Sequence, residues 1–186
     1  LRGAIARPPV QHHKHLNEKQ LGAFWRKLDD QGAHITTIAA TRLLLYTMTR
    51  KSELLRSKWR EFDLDAAQWD IPAERMKMGK AHRIFLSRQA VELLRQVHNI
   101  SGHGEYVLPS IFRGSVPMGD VTLNHFFKRI DFGLPDFSPH GLRGTAATLL
   151  REHGFGRDVV ELLLAHSEKN ATVAAMNTPV GPKPMG

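Results

Sequence analysis

The sequence predicts an α+β fold that is mostly α-helical, with a small antiparallel β-sheet of about three strands. Helix-forming segments with an apolar face lie on both sides of a central segment of different texture. That central segment, "REFDLDAAQWDIPAERMKMGKAHRIFLS", has short apolar or alternating runs broken by turn residues, which is typical of strands. A chain of 186 residues with 41% hydrophobic residues is long enough to bury one core.

The helices expected before the sheet have recognisable start signals or burial patterns. Asn17 is a good N-cap for a helix over "EKQLGAFWRKLDD", whose apolar residues share one face. The segment 36–49 is apolar nearly all round, which predicts a buried helix. A short helix over "SELLRSKW" should follow it, with Ser52 as its cap.

The rest of the chain divides at its turn signals. We expect strands near 60–63, 69–72 and 82–86, and helices over 88–99, 120–130, 139–153 and 156–164. The loop 101–118 is rich in Gly, Ser and Pro, with a helical turn expected at 110–112. The predicted organisation is a linker or arm over 1–16, a folded domain over 17–176 and a disordered tail over 177–186.

Composition restricts the partners. The net charge is +8, from 26 Lys and Arg against 18 Asp and Glu. This basic excess favours a nucleic acid, because bound phosphates release counterions, and the alternative is a merely soluble basic protein. The chain has no cysteine, which excludes disulfides and thiolate metal sites and fits a reducing cytoplasm. No apolar run approaches the roughly 18 residues of a membrane span, so no membrane partner is expected.

The first residues indicate an arm. Leu1 is not an initiator Met and no signal-peptide pattern follows it, so we expect a fragment or a processed chain. Three histidines of this arm, His12, His13 and His15, have no further ligand at helical spacing nearby. We therefore expect no metal, and interpret the arm as solvated or in contact with DNA.

The stretch "SPHGLRGTAATLL" has features of a phosphate-binding site. Pro139 fits the first turn of a helix capped by Ser138, and His140 and Arg143 then lie on one face because they are three residues apart. The helix start adds partial positive charge at the same place. The alternative is an ordinary surface pair, since the H-x-x-R pattern is common.

Two further basic clusters precede that helix. Arg50 follows the predicted buried helix and is either a pre-positioned anion ligand or a snorkelling side chain. Glu53 either orients that guanidinium or offsets the dipole of the next helix. The predicted hairpin carries four basic residues: Lys77, Lys80, His82 and Arg83. They are suited to follow a DNA backbone, or they are simply turn and edge charges.

Four motifs, in this order, resemble the catalytic domain of tyrosine recombinases, the phage-integrase family: "TRKSELLRSKWREFDLD", "KMGKAHRIFLS", "SPHGLRGTAATLL" and "LLLAHSEKN". The resemblance is strongest to integrases of prophages and genomic islands, and it covers 17–176. It implies the fold of DNA breaking-rejoining enzymes and double-stranded DNA as partner. It also implies further recombinase subunits, no cofactor and a place at the nucleoid of a bacterial cytoplasm.

In that family, two arginines, a hairpin lysine and two histidines surround one phosphate, which a Tyr hydroxyl attacks to form a 3′-phosphotyrosyl link. The resemblance assigns these catalytic roles to Arg50, Lys77, His140, Arg143 and His166, with Lys80 as the second choice for the lysine. The arginines would bind non-bridging oxygens and the lysine would protonate the leaving 5′-oxygen. His140 would accept a proton or bind the phosphate. His166 would donate to a non-bridging oxygen or position the nucleophile.

The nucleophile position departs from the family pattern. The family places its Tyr about nine or ten residues after the later His, where this chain has Met176. Met has no hydroxyl and cannot form the phosphotyrosyl link. The two tyrosines of the chain are no natural substitute, since Tyr46 lies in the predicted buried helix and Tyr106 in the central loop.

We therefore expect this chain to be inactive in covalent cleavage. A decayed or truncated prophage gene is the favoured explanation, and an engineered chain or a nucleophile supplied in trans are the others. A second interpretation is a non-catalytic DNA-binding remnant or regulator. A third is a type IB topoisomerase, which the short chain and "LAHSEKN" disfavour.

Overall fold

The computed structural model describes residues 15–130 and 137–165. Its α-helices in this part of the chain are α1 (Glu18–Asp29), α2 (Ile35–Thr47), α3 (Lys51–Leu55), α4 (Arg88–Ser101), α5 (Asp120–Arg129), α6 (Pro139–Glu152) and α7 (Arg157–Leu163). Between α3 and α4 lie the strands β1 (Phe62–Asp63), β2 (Gln68–Ile71) and β3 (His82–Phe85), with short 3-10 helices at Trp59–Glu61 and Ala73–Arg75. The predicted fold class, mostly helical with one small antiparallel sheet, is confirmed.

Helix α1 begins at the predicted cap. The side chain of Asn17 accepts a hydrogen bond from the backbone N–H of Gln20, and the Gln20 side chain accepts one from the backbone N–H of Asn17, each at 2.9 Å. This reciprocal capping box pairs two N–H groups that a helix start otherwise leaves unpaired. Phe24 and Leu28 are buried, so the face of the helix that carries them packs against the core.

Helix α2 is the centre of the molecule. It packs against α3, α4, α5 and α6, which explains why its sequence is apolar nearly all round. Two of its buried threonines donate to carbonyls of the preceding turn: the Thr41 hydroxyl to Thr37 at 2.9 Å, and the Thr47 hydroxyl to Leu43 at 2.7 Å. The helix ends at Met48, whose φ of 54° turns the chain sharply toward α3.

The sheet is antiparallel throughout, in the order β1-β2-β3. On β3, side chains alternate between the two faces. His82 is half-buried and Ile84 is buried, whereas Arg83 and Phe85 are exposed on the other face. His82 pairs in register with the buried Ile71 of β2. The sheet therefore directs His82 toward the domain and Arg83 toward solvent.

Two local predictions are wrong. Helix α3 is capped by Arg50 rather than by Ser52, because the Glu53 carboxylate accepts the free backbone N–H of Arg50. The predicted helical turn at 110–112 is absent. The loop instead closes as an extended ribbon, in which Pro109 and Pro117 pair and Val116 accepts a backbone hydrogen bond at 2.8 Å.

The division into three segments stays a prediction, because residues 1–14 and the whole of 166–186 lie outside the described residues. Leu16, at the end of the predicted arm, is fully buried, and its N–H donates to the Thr145 hydroxyl at 2.9 Å. Within the described ranges, no helix is long and apolar enough to cross a bilayer. Those ranges also contain no group of three or more metal-ligating side chains.

Candidate active site

Arg50 stands at the junction of α2 and α3 and is held by a buried carboxylate. Glu53, 4% exposed, accepts hydrogen bonds from the Arg50 backbone N–H at 2.8 Å and from its Nη1 at 2.7 Å. The Arg50 side chain is 27% exposed. Glu53 therefore fixes the direction of the guanidinium, and the Arg50 side chain as a whole remains partly open to solvent.

Arg143 lies on the first turns of α6 and is only 7% exposed. Its Nη1 donates to the carbonyl of Met48 at 2.7 Å, and its Nη2 donates to the carbonyl of Leu164. Burial, and next the neighbouring Arg50, lower the pKa of Arg143 to about 10, against the opposing effect of Glu53. The group thus stays protonated at neutral pH, and these two contacts use two of its five N–H donors.

Arg50 and His140 line one groove. Its volume is about 390 Å³, and its walls come from α3, α5 and the start of α6: Arg50, Lys51, Ser52, Asp120, Asn124, Ser138, Pro139 and His140. Pro139 occupies the first turn of α6 as predicted. Ser138 stands at the N-cap position, but its side chain makes no capping hydrogen bond. His140 is exposed at this helix start.

Lys51 ties two walls of the groove together. Its Nζ donates to the Asp120 carbonyl at 3.1 Å and to the Asn124 side chain at 3.0 Å. The Asp120 carboxylate lies 3.8 Å from the same Nζ and 3.9 Å from Arg56 Nη2. This acidic wall is therefore partly neutralised, and Arg50 supplies a further positive charge to the groove.

The β2–β3 connection is anchored to the same region through Arg75. Its Nη1 donates to the Glu53 carbonyl at 3.0 Å, and its Nη2 forms an ion pair with Glu61 at 2.5 Å. Glu53 thus accepts hydrogen bonds from two arginines: its carboxylate accepts from Arg50, and its main-chain carbonyl accepts from Arg75. Beyond the anchor, Lys77 and Lys80 are exposed on the turn.

The two basic residues at the start of β3 have different surroundings. His82 lies within the electrostatic reach of Glu53, Arg143 and Arg50, and burial is the main cause that lowers the pKa of His82. Arg83 instead makes a bidentate pair with Asp70 at 2.7 and 2.8 Å. That hydrogen-bonded pair lowers the pKa of Asp70.

The structure brings together three of the five catalytic candidates: Arg50, His140 and Arg143. Lys77 stays exposed on its turn, and His166, like Met176, falls outside the described residues. Sequence reasoning missed the groove roles of Lys51, Asp120 and Asn124. No local signal could have found them, since Lys51 and Asp120 are 69 positions apart.

A larger groove, of about 490 Å³, lies at the other end of α6. Two of the residues that line it are in contact: His153 Nε2 is 2.8 Å from a Glu18 carboxylate oxygen. No arginine is among the residues that line this larger groove, so the smaller groove, which Arg50 lines, is the better candidate for an anion site.

Similarity to known proteins gives the family of this chain. The phage integrase family model matches residues 14–176. Prophage integrase IntA of Escherichia coli (strain K12) is 34% identical over 94% of this chain and 42% of its own length. The integrase of Enterobacteria phage P4 is 33% identical over 93% of this chain and 43% of its own length. The chain belongs to the phage integrase family.

Solved structures share the fold. XerA recombinase matches with a TM-score of 0.68 at 22% identity, covering 94% of this chain and 62% of that one. A lambda integrase tetramer bound to a Holliday junction matches with a TM-score of 0.69 at 21% identity, covering 91% of this chain and 51% of that one. The chain spans less than half the length of the curated relatives named above.

Proposed function

We propose that this chain is the catalytic domain of a site-specific DNA recombinase, a prophage-type integrase that grips one phosphate of duplex DNA. The observation that carries the proposal is the convergence of Arg50 and Arg143. Each guanidinium is held by the fold itself, Arg50 by buried Glu53 and Arg143 by main-chain carbonyls. Cations fixed in this way lose little further freedom when they bind an anion.

Phosphate binding is the first task of such a site. A phosphodiester under attack gains negative charge on its non-bridging oxygens, and guanidiniums bind those oxygens in two-point contacts. Arg50 offers the exposed part of its guanidinium, and Arg143 offers the donors that its carbonyl contacts leave over. His140 adds a ring nitrogen at the same groove, beside the helix start.

Strand cleavage needs a nucleophile and an acid. A Tyr oxygen would form a bond to phosphorus as the bond to the 5′-oxygen breaks, and Lys77 or Lys80 on the hairpin would give that oxygen a proton. His140 would take the proton of the attacking hydroxyl, and His166 would bind a non-bridging oxygen. Met176 supplies no hydroxyl, so this chain holds the phosphate without cleaving it.

The proposed partners are double-stranded DNA and further recombinase subunits, at the nucleoid of a bacterial cytoplasm. The lambda integrase neighbour is a tetramer on a Holliday junction, and the shared fold makes a similar assembly a reasonable proposal here. Lys80, His82 and Arg83 would add backbone contacts, with Arg83 reaching DNA only if it leaves Asp70. Met176 favours a second candidate function, that of a regulator that binds DNA without cleaving it.

The proposal is tested by DNA affinity as a function of salt. Arg50→Gln should weaken binding to a short duplex and reduce the slope of log affinity against log salt by about one, because one phosphate contact is lost. Fluorescence anisotropy over a range of salt concentrations measures both. Arg88→Gln is the control, since Arg88 is 85% exposed at the start of another helix. Equal losses in both variants would mean that the arginines act only through overall charge.

A further inference from the structure

His82 is placed unlike the other basic residues of its hairpin. Lys77 and Lys80 are exposed on the turn, and Arg83 is paired with Asp70 on the outer face. His82 is half-buried on the inner face, opposite the fully buried Ile71 in the strand register. Its ring therefore points toward the domain rather than along the open face of the sheet.

The charged groups around His82 come from two other elements. Arg50 and Glu53 belong to the start of α3, and Arg143 belongs to α6. The hairpin is fixed against α3 because Arg75, which precedes the turn, donates to the Glu53 carbonyl at 3.0 Å. His82 thus lies near Arg50 and Arg143, on the side of the site that the sheet forms.

On the basis of the proposed function, we propose that His82 is a further phosphate-binding residue, which takes up a proton from solvent as the DNA phosphate enters and then donates an N–H to a non-bridging oxygen. The hairpin would in this way contribute to phosphate binding through its first strand residue as well as through the lysines on its turn. Binding of DNA would be coupled to the uptake of one proton.

The sign of the surrounding charge explains the coupling. In the free protein, an imidazolium at His82 would sit partly desolvated beside Arg143 and Arg50, with only Glu53 to offset them, and its pKa is lowered accordingly. A phosphate held by the two arginines would bring negative charge to the same place. The protonated ring then becomes the favoured form, so the pKa of His82 should rise on binding.

Ring titration measures this directly. The histidine C2–H resonances of the full chain are followed by NMR over about pH 5 to 8, with and without a short duplex of mixed sequence, and His82→Gln identifies the His82 signal. We expect a midpoint below the ordinary histidine value of about 6.5 in the free protein and above it in the complex.

Affinity measured over the same pH range gives an independent readout. DNA affinity should rise as pH falls through the window between the two midpoints, by up to tenfold for each pH unit for one proton taken up. His82→Gln should remove this component. His103→Gln is the matched control, because His103 is exposed in the loop that follows α4, and its variant should keep the wild-type pH dependence.

The outcomes separate the two proposals. Binding with an unchanged His82 midpoint would overturn the role of His82 and leave the DNA-binding function standing. An identical pH dependence in wild type and His82→Gln would do the same. No binding to the duplex at any pH would overturn the proposed function and the role of His82 with it.

Discussion

Arg143 shows how main-chain carbonyls can hold a cation inside a protein. Burial lowers its pKa only to about 10, so it remains charged, and the carbonyls of Met48 and Leu164 take the place of lost water. The same contacts join the end of α2 to the end of α7. The residue proposed to bind phosphate is therefore also a structural link.

The structural part of that role predicts a stability change. Arg143→Ala should lower the free energy of unfolding by about 2 kcal/mol, because hydrogen bonds from a charged donor to two buried carbonyls are lost. Urea unfolding followed by circular dichroism measures it. Arg151→Ala, on the same helix and 47% exposed, is the control and should change stability by less than about 1 kcal/mol. A loss as small in Arg143→Ala would show that the carbonyl contacts carry little energy.

At the scale of elements, a buried ion pair joins the β2–β3 connection to the 3-10 helix at Trp59–Glu61. Arg75 and Glu61 are 15% and 5% exposed, and the Glu61 carboxylate also accepts a hydrogen bond from the indole of Trp69 at 3.1 Å. Arg75 in addition holds the Glu53 carbonyl. Glu53 therefore fixes Arg50 directly, and through Arg75 it also helps to fix the position of Lys77, two residues further on.

Removal of this anchor should be costly. Arg75→Met should destabilise the domain by about 3 kcal/mol, because it leaves the Glu61 charge buried without its partner. The double variant Arg75→Met with Glu61→Leu should recover much of the loss, since no unpaired charge remains. Denaturant unfolding of both variants and of Arg83→Met is the measurement. Arg83→Met breaks the exposed pair with Asp70, so a loss there as large as in Arg75→Met would contradict the argument.

The elements that could be predicted from sequence are those with local signals. The N-cap signal at Asn17 and the apolar run of α2 placed their helices correctly, and the alternating residues of β3 placed that strand. The cap of α3 was missed because a long charged side chain, not a small polar one, completes it. Only some of the residues that line the groove could be predicted from the sequence. Its His140 has a recognisable motif, whereas Lys51 and Asn124 meet across 73 positions with none.

At the scale of the whole molecule, a chain with a net charge of +8 is suited to hold DNA, and its site is suited to hold one phosphate of it. Of its two tyrosines, Tyr46 packs edge-on against Trp25 with ring centroids 6.0 Å apart. Tyr106 lies beside Lys58, whose Nζ is 5.6 Å from the ring centroid. Both rings are engaged in packing, and neither lines the groove.

We therefore predict that the chain forms no covalent adduct with DNA. A duplex with 5′-bridging phosphorothiolate linkages is the sharpest probe, because its thiolate leaving group needs no protonation and returns poorly. Denaturing gel electrophoresis after incubation should show free protein and intact strands only. An adduct that peptide mapping places at Tyr46 or Tyr106 would contradict the prediction.

The oxygens that hold Arg143 belong to the backbone, and one of them ends a helix in a left-handed turn at Met48. Alanine scanning reports on the packing of the side chains at 48 and 164, and is blind to the atoms that orient the guanidinium. Substitutions at both positions can therefore leave the two carbonyl acceptors of Arg143 in place. An amide-to-ester replacement between residues 48 and 49, which weakens that one acceptor and alters no side chain, is the change that would expose it.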